Sequence, residues 1–290
     1  MKYLIVNADE FGLSSGVNKG IIEAFQNGIV RSTTLVVTGK CYDDAITFLR
    51  NNPELGAGVH LTLTGGIPVS NIDGVKSLVD EEGKLLLRKK FFRRMISGLI
   101  KLNEVEKEFD AQINKLINSG IKITHLDSHQ STYMYPSIFK IAVKMAKKYN
   151  LPMRFPIDPI SLNKNISFNL KKSMHVFKKI VLKLISMKLY KEIKKSNIRI
   201  ADSFRTYYDF HRTDGDFEKS LLNLLKSLDD GINEVMSHPG YWDKDLADWV
   251  NGKEDEGLRE KELRALTSDG IKTYIRENNI ILVNWGCEHK

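Results

Sequence analysis

A chain of 290 residues with 42% hydrophobic and 28% charged residues and only 7 prolines can bury a substantial core, which excludes a disordered or collagen-like protein. Its net charge of +8 is not accompanied by zinc-finger spacing, an RNP-like aromatic strand or a helix-turn-helix pattern. The lysines therefore read as solvated faces, and no nucleic-acid partner is expected. Two cysteines, Cys41 and Cys287, exclude a disulfide framework. No uncharged apolar run reaches membrane-spanning length and no leader pattern precedes the first strand, so a cytoplasmic location is expected.

In chain order, the apolar run Tyr3-Leu4-Ile5-Val6 predicts a strand, followed by an acidic turn at Val6-Asn7-Ala8-Asp9-Glu10-Phe11-Gly12. Ser14 or Ser15 caps a helix carried by Val17, Ile21, Ile22, Ala24 and Phe25, which Asn27-Gly28 ends. The β-branched stretch 32–38 predicts a second strand, 42–50 a helix, and 55–63 a buried strand with His60 at its end. Turn signals at 65–68 and 80–83 suggest a long loop from Thr64 to Lys101 that helps to wall a substrate site. A helix through Val105, Phe109, Ile113 and Ile117 then delivers a strand over 121–129, with His125, Asp127 and His129 gathered near its end.

Residues 136–149 predict a helix and 153–156 a short strand presenting Arg154. Lysines cover the polar positions of 171–195 while Phe177, Ile180, Val181, Leu184, Ile185 and Leu189 recur at helical spacing. This basic helical insertion, around 160–196, is read as packed on its own domain, with contact to a membrane surface as the lesser reading. A strand from Ile198, a helix over 217–228, a strand ending at His238, a helix from Leu258 extending toward Ile275 and a last strand at 280–284 complete the chain. Such alternation predicts one α/β domain over 1–290, a parallel (β/α) barrel with polar residues at the strand C-terminal ends.

Four strand ends thus carry Asp9-Glu10, His60, Asp127 with His129, and His238. A single histidine is more readily explained by a capped strand end or a core hydrogen bond; the shared placement is the signal. One carboxylate and two histidines suit a divalent ion such as zinc with positions left open for water and substrate, and a remaining carboxylate and histidine would serve as base and acid.

These residues fall in five ordered motifs. Asn7-Ala8-Asp9-Glu10-Phe11-Gly12 resembles N-A-D-D-F-G, 58–64 resembles G-x-H-x-x-L-T, and 124–130 reads T-H-L-D-S-H-Q; Arg154-x-Pro156 and 237–240 follow in order. Together they resemble the YdjC-type carbohydrate deacetylases, the family that includes chitooligosaccharide deacetylase. The resemblance implies a distorted TIM-barrel-like fold and removal of acetyl groups from N-acetylated amino sugars or oligosaccharides with one divalent metal ion, magnesium or zinc. Carried over by position, Glu10, His60 and His129 would hold the ion, Asp9 would be the general base and His238 would protonate the leaving amine. Asp127, Arg154 and His125 would orient these groups or meet substrate.

Two departures stand out: Glu10 replaces the family's usual Asp, and Ser131-Thr132-Tyr133 follows Gln130 where further histidines are common. They keep two alternatives open, a catalytically silent carbohydrate-binding or membrane-surface protein and a related metal-dependent amide or ester hydrolase. A homodimer is also left open.

Overall fold

The architecture follows from strands that must be covered on both faces. The structure, a computed structural model, describes residues 1–156, 173–206, 216–250 and 257–287. Strand β1 (Lys2–Phe11) is buried without interruption from Leu4 onward, as a central parallel strand must be. Beside it run β2 (Ser32–Leu35), β3 (Gly56–Leu61) and β4 (Ile123–Ser128) in sequence order, and on its other side β6 (Gly231–Ser237) and then β5 (Ser203–Arg205). Every strand pairing is parallel, and the short β7 (Ile281–Leu282) pairs with Tyr3 and Leu4 of β1.

The curl is completed by backbone that is not a strand. Between β4 and the chain leading to β5, Leu126 donates to Pro152 and Arg154 to Leu126, at 2.9 and 2.8 Å, while Met153 donates to Arg199 on the far side at 3.0 Å. Residues 153–156 were expected as a strand but make one isolated bridge, Leu126 to Met153. Pro152 and Pro156 bracket them, and neither has an N–H to extend a ladder. The expected barrel is thereby distorted into a curled parallel sheet.

Helices cover the outside. Ser14 caps α1 (Ser15–Gln26) by accepting from Val17 N at 3.2 Å, and Val17, Ile21 and Ala24 turn inward. α2 (Tyr42–Asn51) follows β2; α4 (Leu102–Asn118) and α5 (Pro136–Tyr149) flank β4. The region 64–101, expected as loop, contains the basic helix α3 (Arg88–Ile96). It is buttoned to α4 from below: Glu108 accepts from Val69 N and Ser70 N, Glu104 from Ser77 N, and Gln112 bonds Thr62 N and O.

α6 (Ser173–Lys195) buries Leu189 and Ile193 and sets Tyr190 5.6 Å from Phe155, leaving Leu184 exposed. From Ser186 onward it is packed on its own chain. Residues 160–172 of the expected insertion, and the side chains of Phe177, Ile180 and Val181, lie outside the described residues. After α7 (Phe217–Lys226) and β6 comes α8 (Lys244–Val250), for which no helix was expected. The single helix expected from Leu258 is instead α9 (Leu258–Thr267) and α10 (Asp269–Glu277), broken where Ser268 is extended at ψ 133°. No helix among the described residues is long and apolar enough to cross a membrane.

Side chains alternate along β1. Leu4, Val6 and Ala8 join the helix-packed core, while Ile5 meets Ala201, Val283 and Trp285 in a smaller inner cluster. Above Ile5 on that inner face stand Asn7 and Asp9, so the barrel interior turns polar toward the strand C-terminal ends.

Candidate metal centre and active site

The two acids of β1 reach one pocket because of a bulge, not because the strand has ended. Ala8 pairs with Thr33 and Phe11 with Leu35, so β1 takes three steps where β2 takes two. The extra residue places both Asp9 and Glu10 opposite Thr34, and Glu10 adopts φ +76°, a left-handed conformation uncommon for a residue with a side chain. The acidic turn expected beyond Val6 is thus corrected to a bulge inside a strand that continues to Phe11.

From β3, His60 Nδ1 lies 2.8 Å from Asp127 Oδ1 of β4 and 3.2 Å from Thr34 Oγ1. Thr34 also donates to Asp127 Oδ2 at 3.0 Å, which locks the carboxylate against the imidazole. Burial disfavours a charged His60, but the Asp127 charge and hydrogen bond outweigh it and hold the ring above its ordinary pKa. A histidine whose Nδ1 is held by a carboxylate has Nε2 aimed outward as a metal ligand.

His129 follows β4, where Gln130 and Ser131 both turn left-handed at φ 54° and 53°. Its Nδ1 is 3.0 Å from Glu10 Oε1, yet off the line of a hydrogen bond, so this buried nitrogen has no hydrogen-bond partner. Glu10 Oε2 accepts from Arg259 Nη2 at 2.7 Å. Burial alone would raise Glu10, but Arg259 and the neighbouring His129 hold it well below the usual carboxylate range.

Arg154 organises the other carboxylates. Its Nη1 and Nη2 bond both oxygens of Asp9 at 2.6 and 2.8 Å, Nη1 also meets Asp127 Oδ2 at 2.6 Å, and Nε donates to Glu234 Oε1 at 2.8 Å. Asn7 adds a bond to Asp9 Oδ1 at 2.8 Å. Against the cost of burial, the Arg154 pairing keeps Asp9 ionised far below its ordinary value. Glu234, fully buried and only partly compensated by Arg154, is pushed up to about 7.

His238 stands just past β6 with Nε2 3.9 Å from Asp9 Oδ2. His125 does not reach the mouth of the site. It is fully buried and stacked on Trp285 at 5.0 Å with Nδ1 3.0 Å from Thr124 Oγ1, which corrects the expectation of a substrate contact. Burial, aided by Arg154, keeps its ring neutral.

Glu234, Arg259, Thr34 and Trp249 belong to this cluster and were not anticipated. For Glu234 a signal existed, since it lies four residues before His238 and strand alternation puts the two on one face. An Arg in the first turn of a helix, as Arg259 is, carries no such mark.

These residues fit a cation. Asp9, Glu10, Asp127 and Glu234 are buried carboxylates beside two buried guanidiniums, Arg154 and Arg259, and the imidazoles of His60 and His129. Ligand atoms of Glu10, His60 and His129 lie within 4.8 Å of one another, as do those of Asp9, His60 and Asp127. The first trio suits a divalent ion better, because both oxygens of Asp9 already accept from Arg154 and those of Asp127 are engaged by His60, Thr34 and Arg154, while His129 Nδ1 has no hydrogen-bond partner.

The family model described as YdjC-like protein matches residues 3–277. A carbohydrate deacetylase of Thermoanaerobacter pseudethanolicus is 35% identical over 98% of this chain and 98% of its own, and one of Clostridium beijerinckii 34% identical over 97% and 98%. Among solved structures, a proposed cellobiose-phosphate cleavage protein of Enterococcus faecalis superposes with a TM-score of 0.76 at 30% identity, covering 98% of this chain and 97% of that one.

Proposed function

The chain belongs to the YdjC-like protein family, and from that premise we propose that it is a metal-dependent carbohydrate deacetylase acting on N-acetylated amino sugars or their oligosaccharides. The observation that carries the reading is the buried trio Glu10, His60 and His129 set beside an ionised Asp9. A divalent ion held by that trio, magnesium or zinc, would acidify water and draw charge from the acetamide carbonyl.

The chain's own groups divide the remaining work. Asp9 accepts the proton of the attacking water at Oδ2, which takes a single bond from Arg154, while Oδ1 is filled by bonds from Arg154 and Asn7. As the C–N bond breaks, His238 delivers a proton to the leaving nitrogen, so acetate and a free amine result. Asp127 holds His60 by Nδ1, and Arg259 leaves Glu10 only Oε1 for an ion. Glu10, in place of Asp, stands on the bulge, where its backbone is left-handed.

We place this activity in one domain spanning the chain, with α6 as part of an insertion. Its two free cysteines fit the cytoplasm. The test is acetate release from N-acetylated mono- and oligosaccharides, phosphorylated disaccharides included, with magnesium or zinc. The expected result is release that stops on chelation and in His60→Ala. Metal binding without acetate from any acetylated sugar would favour a silent carbohydrate-binding protein instead.

A further inference from the structure

Trp249, on α8, seats its indole against the proposed metal ligand His129. Its Nε1–H donates to His129 Nε2 at 3.3 Å, with the rings 5.6 Å apart at 66°. On its other side the indole rests on Gly65 and Gly66, at φ +80° and +77°, where a Cβ on Gly66 would stand 2.8 Å from the ring. The same stretch is tied to the chain after His129, since Thr64 Oγ1 donates to Gln130 Oε1 at 3.3 Å. Trp249 thus touches both a ligand and the wall of the site.

An indole nitrogen can only donate, so His129 Nε2 must offer its lone pair to it. A metal ion takes a lone pair from one imidazole nitrogen. If it takes that of Nε2, it replaces the indole directly. If it takes that of Nδ1, the neutral ring must carry its proton on Nε2, and two N–H groups then face each other across 3.3 Å. Both routes break the contact.

Resting on the metal reading of His129 given above, we infer that the Trp249 indole and a metal ion at His129 exclude each other. Trp249 holds the imidazole in the metal-free protein and is released on loading, which changes the wall formed by Thr64 to Gly66. Metal loading and the arrangement of the sugar-facing surface are coupled through this one hydrogen bond.

Coupling of this kind is reciprocal, so removing the indole donor must tighten the metal. The experiment is a zinc titration of full-length protein followed by calorimetry and by the indole N–H resonances of 15N-labelled material. Trp249→Phe identifies the Trp249 resonance by its loss, and a melting curve checks that the variant folds. We expect the Trp249 resonance to move while that of Trp242 stays, and Trp249→Phe to bind zinc about fivefold more tightly, the size of one ordinary hydrogen bond. If Trp249→Phe binds zinc equally or more weakly, while His129→Ala weakens it, the exclusion is overturned and the metal reading stands. If His129→Ala leaves zinc affinity unchanged, the metal reading at His129 fails and takes this inference with it.

Discussion

From Lys2 to Ala8, β1 pairs residue for residue with β6, whereas from Ala8 to Phe11 it bulges against β2 and turns Glu10 left-handed. The first stretch contributes Leu4, Val6 and Ala8 to the core, each fully buried among apolar neighbours. The second buries Asp9 and Glu10, whose charges are compensated by arginines from distant parts of the chain. Burying one Leu or Val side chain stabilises by roughly 1.5–3 kcal/mol, while a left-handed residue with a side chain costs on the order of 1–3 kcal/mol. A few apolar residues at one end of the strand therefore offset the strain at the other. Stability and chemistry are separated along a single strand.

That separation can be broken from either end. The largest effect is expected for Asp9→Asn, which should lower kcat/KM for acetate release by about a thousandfold, the range of a lost general base. Zinc affinity by calorimetry should change little; loss of the metal would make Asp9 a ligand and reverse its role with Glu10. At the other end, Leu4→Ala should cost about 3 kcal/mol in urea unfolding and leave kcat of the folded protein near that of the parent.

Glu10→Asp sharpens the contrast. The shorter side chain cannot keep both the 2.7 Å bond to Arg259 and the 3.0 Å approach to His129, so kcat at saturating metal should fall by about tenfold. Asp accepts left-handed backbone more readily than Glu, which offsets only part of the lost buried contact, so the urea midpoint should fall slightly. A faster Asp variant would mean that Glu10 is a decayed position.

The smallest effect is a pH dependence. The folded metal-free protein keeps the Glu234 proton up to about 7, while an unperturbed glutamate releases it near 4.5. Stability from this group is therefore present below 4.5 and declines as pH rises through 7. Glu234→Gln should flatten that decline, so its Tm relative to the parent should rise from pH 5 to pH 7.5 in the presence of chelator.

Much of the site was legible because chain order puts Asp9, Glu10, His60, Asp127, His129 and His238 toward the C-terminal ends of parallel strands. The bulge was not, since a register shift depends on the pairing of Phe11 with Leu35, which no local pattern encodes. Arg259 approaches Glu10 from the other end of the chain, and Thr34 reads only as a β-branched strand residue. Likewise the break at Ser268 and the helix α3 carry weak local signals and are set by what they pack against.

We propose that Glu10, His60 and His129, not Asp9, hold one divalent ion toward the C-terminal ends of the strands. A crystal grown with zinc and measured across the zinc absorption edge tests it most directly. The account predicts one anomalous peak within bonding distance of Glu10 Oε1, of His60 Nε2 and of one ring nitrogen of His129, with Asp9 still paired to Arg154. A peak ligated by Asp9, or no peak between these three side chains, would contradict it.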